Sequence, residues 1–251
     1  MRNIIKILAL SIIFLVLIEI VLFALNVSTY IFPRPTDIIS TAYQNSGLLF
    51  YHLLVTFIES LLGFLIANII SVILAFTAYF KPRFEQFILS AGVIVKTVPI
   101  IALTPLLITW FGSGIASKIA TAALICFFPA LVGMIKGIKA LESSYQDLFR
   151  IYSAPKSKLI KLLLIPGGFP FLISSLKISS SLAVVGALVG EFIGANKGLG
   201  YLTMVNYYSF NTPLVYAAIT LSSLLGLAYY FILSAIEKKV YTPNSEFREQ
   251  A

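Results

Sequence analysis

The chain has 251 residues, of which 59% are hydrophobic and only 11% charged, with a mean hydropathy of +0.97 and a formal net charge of +8. A soluble domain carries about 25% charged and 45–50% apolar residues, so this composition excludes one and defines a multi-span membrane protein. Cys126 is the single cysteine, which excludes an intramolecular disulfide and a cysteine-rich metal site. A basic excess in so apolar a chain reflects cytoplasmic loops rather than nucleic-acid binding.

The first apolar run, residues 4–25, reaches about 33 Å as a helix, too long for the usual core of a signal peptide, and no small-x-small cleavage site follows it. It is expected to be a retained span. The second run, 48–80, contains His52, Glu59 and Asn68, and is long enough to tilt or protrude. His52 falls near its outer end, where an interfacial polar tip is the simplest reading. The third run, 87–110, holds Lys96, Pro99 and Pro105, and each proline removes a helical hydrogen bond and can bend the span. A fourth run covers 115–135.

Residues 141–166 then form the one long stretch that a bilayer would reject, with Glu142, Asp147, Arg150, Lys156, Lys158 and Lys161. It reads as two short helices around a Ser153-Ala154-Pro155 corner, the second running from Lys156 until Pro166 stops it. The fifth run, 169–193, carries Lys177 and Glu191. Gly186, Gly190, Gly194 and Gly198 recur every four residues along it, a spacing that lets helix backbones approach as in G-x-x-x-G contacts. The sixth run covers 213–236.

Six spans put both ends of the chain on one side. Thirteen Lys and Arg residues fall in the segments on that side and three, Arg34, Lys118 and Lys197, on the other, which places the ends and the 141–166 stretch in the cytoplasm. Ionisable groups deep in spans face partners or water-filled cavities, so Glu59, Lys96, Lys177 and Glu191 are candidate residues of a translocation pathway, with structural pairing or snorkelling as the competing reading.

The polar stretch also resembles a family. Permeases of binding-protein-dependent ABC importers carry a cytoplasmic loop of the form E-A-A-x3-G-x9-I-x-L-P. Here Asp147-Leu148-Phe149, then Ser153, then Leu163-x-Ile165-Pro166 stand in that register, with Tyr152 adding apolar surface. The acid is shortened, the alanines are enlarged and the glycine is a serine. Phe32-Pro33-Arg34-Pro35-Thr36, Trp110-Phe111-Gly112-Ser113-Gly114, Gly190-Glu191-Phe192-Ile193-Gly194 and Gly198-Leu199-Gly200-Tyr201 resemble the nitrate, sulfonate and taurine branch, so the likeness extends over nearly the whole chain. It implies a type I importer permease: one all-α membrane domain of about six spans, with a coupling loop at 141–166. Relatives in that branch usually carry a base where Glu59 stands, and the reversed charge bears against an anionic solute.

No G-x-x-x-x-G-K-[ST] loop is present, so no cofactor is expected in this chain, and ATP with its magnesium belongs to a partner ATPase. A membrane enzyme would need a convergent nucleophile, acid or metal set that one His and scattered acids do not supply. A secondary transporter or channel would explain the spans but not the polar elbow. The expected partners are the ATPase, an external solute-binding protein, a second permease copy and membrane lipid, in a bacterial inner membrane. The expected solute is nitrate, sulfonate or taurine-like, or a thiamin-precursor-like heterocycle.

Overall fold

In the computed structural model, which describes residues 2–141, 149, 151–153 and 155–241, the regular elements are all helical. They are α1 (Arg2–Ala24), α2 (Pro35–Gln44), α3 (Ser46–Phe80), α4 (Pro82–Thr97), α5 (Ile100–Phe111), α6 (Ile115–Lys139), α7 (Lys156–Leu159), a π-helical turn (Ile160–Leu164), α8 (Ile165–Gly194), α9 (Leu199–Tyr208) and α10 (Thr212–Tyr241). Helix is forced on a chain of this composition, because lipid offers no partner for an exposed backbone N–H or C=O.

Six straight spans are not what these helices make. α3, α6, the continuous run Lys156–Gly194 and α10 are each long and apolar enough to cross a membrane. α4 and α5 qualify only together and are bent by 97°, while the described apolar part of α1, Ile12–Ala24, is shorter than a span. The expected third span is therefore two helices meeting at Val98-Pro99. Val98 is extended (φ −73°, ψ 126°), the conformation a following proline imposes, and Pro99 opens α5 without needing an N–H.

The second departure concerns Pro166, which does not stop the elbow helix but sits in the first turn of α8. Directly before it the backbone widens into the π-helical turn Ile160–Leu164. A π turn inserts one residue into the helical repeat, and here it relaxes the ladder where proline lacks a donor and its ring would press on the carbonyl four residues back.

Membrane helices gain nothing by hiding apolar surface from equally apolar lipid, so close backbone approach must hold them together. α8 packs antiparallel on α6 along a seam of small residues stepping four at a time. Cβ atoms built on the glycines would meet Phe171 Cβ at 2.5 Å from Gly137, Ser175 Oγ at 1.7 Å from Gly133, Ala122 Cα at 2.6 Å from Gly186 and Lys118 Cα at 3.1 Å from Gly190. Cys126 falls in the same seam and donates to Ser179 O at 3.1 Å. On the other face of α6, a Cβ at Gly63 would lie 2.5 Å from Ala122 Cβ, so Ala122 is clasped between α3 and α8. Polar side chains add cross-helix bonds. Ser71 donates to Phe127 O (3.2 Å), Ser179 to Asn68 Oδ1 (3.4 Å), and Tyr229 of α10 to Phe57 O (3.0 Å).

Candidate functional site

α8 joins two polar features, one at each end. At its start lies the elbow, and of the expected coupling residues Asp147 and Leu148 lie outside the described residues. Phe149 and Ile151 are helical, and Tyr152 and Ser153 form a turn. Ser153 has φ +47°, a left-handed conformation that costs an L-residue roughly 1–2 kcal/mol and a glycine almost nothing. The family's glycine thus has a conformational reason here, and the serine keeps the turn at a strain cost. Ile151 and Tyr152 are 78% and 76% exposed, so the tip of the elbow presents apolar surface. Leu163 is half-buried, Ile165 and Pro166 are exposed, and Leu159 and Ile160 pack back onto the core of Ala130, Leu131, Met134, Ile135 and Leu164.

At the far end of α8 the chain turns sharply through Gly198 into α9, and buried side chains of α3 and of α8 itself hold the turn. His52 Nδ1 accepts the Gly198 N–H (2.9 Å), Thr56 Oγ1 accepts the Leu199 N–H (2.8 Å), and Glu191 Oε2 accepts the Gly200 N–H (2.5 Å). Thr56 Oγ1 in turn donates to Glu191 Oε1 at 2.7 Å. These acceptors occupy the free N–H groups at the start of α9, where side-chain oxygens ordinarily cap a helix. Gly198 takes φ +108°, and a Cβ there would lie 2.2 Å from Glu191 Cδ. No other residue fits the latch.

Lys118 and Glu59 flank this latch. Lys118 is 1% exposed and donates to Ser113 O and Gly194 O, both at 2.7 Å, tying the end of α8 to the α5–α6 loop. Glu59, two turns along α3 from His52, is 3% exposed and lies beside Glu191, and its Oε2 has no hydrogen-bond partner among the described residues.

The four expected pathway residues are therefore not gathered in one place. Glu59 and Glu191 come together at the latch. Lys177 pairs with Glu237 of α10 at 2.6 Å and lies 5.8 Å from the Tyr230 ring centroid. Lys96 sits in the last turn of α4, beside the bend, with its Nζ 5.1 Å from the Phe128 ring centroid. Of the four glycines, Gly186 and Gly190 face α6, a Cβ on Gly194 would lie 2.5 Å from Ile108 Cδ1 of α5, and Gly198 belongs to the turn.

Sequence reasoning missed His52 and Lys118, the first read as an interfacial polar tip and the second counted only as an outer-side charge. The available signal was spacing: His52, Thr56 and Glu59 share one face of a helix, and Lys118, Ala122, Cys126 and Ala130 share another. Neither face suits lipid throughout.

A seam of small residues, a core span interrupted by a right-angle bend and a polar elbow leading straight into a core helix define a membrane permease of the type I importer fold. Solved structures of the MetNI methionine ABC transporter in inward-facing conformations share that fold, with a TM-score of 0.63 at 17% identity over 79% of this chain and 96% of theirs. Residues 67–241 match the family described as binding-protein-dependent transport system inner membrane component, and the chain belongs to that family. It is 34% identical over 209 residues to the formylaminopyrimidine transport permease ThiX of Halalkalibacterium halodurans, covering 83% of this chain and 84% of that one. Identity to the riboflavin permease RibX of Chloroflexus aurantiacus is 31% over 83% of this chain and 79% of that one. To the putative aliphatic sulfonates permease SsuC of Bacillus subtilis it is 29%, over 85% and 78%.

Proposed function

We propose that this permease subunit acts as one membrane domain that pairs with a second copy to enclose the solute path of an ABC importer. A separate ATPase that binds ATP and magnesium drives it, and an external binding protein supplies it. The observation that supports ATPase coupling is the elbow: an exposed apolar tip at Ile151 and Tyr152, a tight left-handed turn at Ser153, and a continuous helical connection into the seam helix α8. Closure and opening of the ATPase pair would push on that tip and swing α8 between alternate arrangements. Ser153→Trp, which puts a bulky side chain at the turn, abolishes co-purification of the ATPase or uncouples hydrolysis from uptake while the permease still inserts. Normal assembly and coupled uptake in that variant would refute the docking.

Both ends of the chain and the elbow lie in the cytoplasm on this reading. Lys118 supports it, because this base is buried and spent on two carbonyls, which removes one of the three charges from the outer side. In a Cys126→Ser background, single cysteines at Ser153 and Tyr241 resist an impermeant thiol reagent in intact cells, and cysteines at Gly47 and Asn206 react. The opposite pattern would reverse the orientation.

Among the solutes of the relatives we favour an uncharged or cationic heterocycle of the thiamin-precursor kind over a sulfonate. Glu59 and Glu191 bring two acids to one buried site, and Glu59 keeps an unpartnered oxygen. Relatives in the sulfonate branch usually carry a base where Glu59 stands, so this position lacks the charge that would attract an anion. Competition of unlabelled taurine and of a formylaminopyrimidine against uptake tests this, and competition by taurine alone would overturn it.

A further inference from the structure

The geometry points to a bound anionic phospholipid, with one acyl chain in the cavity between α3, α6 and α8 and its headgroup at Lys156 and Lys161. This inference rests on the proposed orientation only for which leaflet supplies the lipid. The cavity has a volume of about 200 Å³ and is lined by Val72, Ala75 and Phe76 of α3, Met134 and Ile138 of α6, Leu164 of the π-helical turn, and Ile165, Gly168 and Leu172 of α8. Among the described residues its lining offers no side-chain polar group. A resident water needs two to four polar partners, so the cavity suits an apolar guest, and at about 30 Å³ per water-sized group it holds roughly six or seven methylenes.

Two features select a lipid tail over a protein side chain. Ile165 of its lining is half-exposed, and Leu162 beside it in sequence is exposed, so apolar surface continues from the cavity to the outside of the chain. Lys156 and Lys161 stand toward its Leu164 end, whereas Lys177, beyond its Leu172 end, is spent on Glu237 at 2.6 Å. Lys161 lies in the π-helical turn one step before Ile165, and Lys156 places its Nζ 5.4 Å from the ring centroid of Phe80, one helical turn beyond Phe76. An apolar slot with positive charge at its polar end matches a molecule with an anionic head and an apolar tail. Lys139 is engaged with Glu85 at 2.6 Å. The exposed apolar tip at Ile151 and Tyr152 remains available to the ATPase.

The test uses the full chain with its ATPase, reconstituted in phosphatidylcholine vesicles that contain 20% phosphatidylglycerol. A photoactivatable group near the end of one acyl chain of either lipid reports the site. Irradiation should attach the phosphatidylglycerol probe to Phe76, Met134 and Leu172 in preference to the phosphatidylcholine probe. Each of Lys156→Gln and Lys161→Gln should lower that preference about fivefold, and the pair about 25-fold. Gly168→Leu fills the cavity and should remove the labelling. A Cβ at Gly168 would meet nothing closer than 3.9 Å, so the fold accepts Gly168→Ala, which should reduce the labelling, and retained ATPase co-purification shows that Gly168→Leu is folded. Equal labelling by the two probes, labelling that survives Gly168→Leu, or absence of labelling at Phe76, Met134 and Leu172 would each overturn the proposal. The lysine variants should still co-purify the ATPase, whereas Ser153→Trp should lose the ATPase and keep the lipid, so failure of one reading is distinguishable from failure of the other.

Discussion

Ala122 stands between two glycines that press on different atoms of it, and a double-mutant cycle can separate those contacts. In Gly63→Ala the new Cβ would sit 2.5 Å from Ala122 Cβ, a side-chain atom that Ala122→Gly deletes. In Gly186→Ala it would sit 2.6 Å from Ala122 Cα and 3.2 Å from its N, backbone atoms that no substitution at residue 122 removes. Ordinary carbon contacts lie near 3.5–4.0 Å, so each alanine must push its helix away by about 1 Å, at an overpacking cost of about 1–3 kcal/mol. Glycine to alanine in a helix recovers up to about 1 kcal/mol, and Ala122→Gly alone loses a similar amount. The expected result is that Ala122→Gly recovers about 1 kcal/mol of the loss in Gly63→Ala, with the remainder set by Ile119 O at 2.9 Å and Ala123 N at 3.0 Å, and recovers none in Gly186→Ala. Thermal unfolding of the purified single and double variants in one detergent measures this. Equal rescue of both alanines, or rescue of neither, would refute the seam as the source of helix association.

Three further outcomes follow from the same contacts. Gly198→Ala should destabilise the protein by roughly 1–3 kcal/mol, because it forces a side chain into a glycine-only conformation and onto Glu191; an unchanged melting temperature would disprove the latch geometry. Lys177→Met should cost about 1–2 kcal/mol by leaving the partly buried Glu237 unpaired, and Lys177→Met with Glu237→Met should regain most of it, as read by thermal unfolding. Glu59→Gln should alter uptake or its pH profile while insertion and ATPase binding persist, and an unchanged uptake profile would make Glu59 purely structural.

What the sequence revealed and what it hid divide along physical lines. The long apolar helices were readable because a bilayer demands an uninterrupted run of about 20 apolar residues, and α3, α6 and α10 supply one each. The bend between α4 and α5 was half-readable: Pro99 marked the place, but a proline can kink a helix or end it, and the packing decides which. Pro166 illustrates the same ambiguity in reverse, since a π-helical turn let the helix run on. The latch was hidden because His52 and Glu191 are 139 positions apart and meet only through the turn at Gly198. The seam was half-visible. Gly186 and Gly190 announced a close approach, but their partners, Ala122 and Lys118, look unremarkable until the antiparallel register of α6 and α8 is known.

The continuity of α8 has a mechanical consequence. Its 30 residues make a rod about 45 Å long, with the elbow at one end and the Glu191 latch at the other. Because its seam on α6 brings backbone against backbone at Gly186 and Gly190, there is little slack there to absorb a push as side-chain repacking. A tilt of about 5° at the elbow would therefore carry the opposite end through roughly 4 Å. That is more than the length of any hydrogen bond holding the Gly198 turn. A force applied on one side of the membrane would reach the other as the stroke of a stiff lever, and the latch would be the first joint to open.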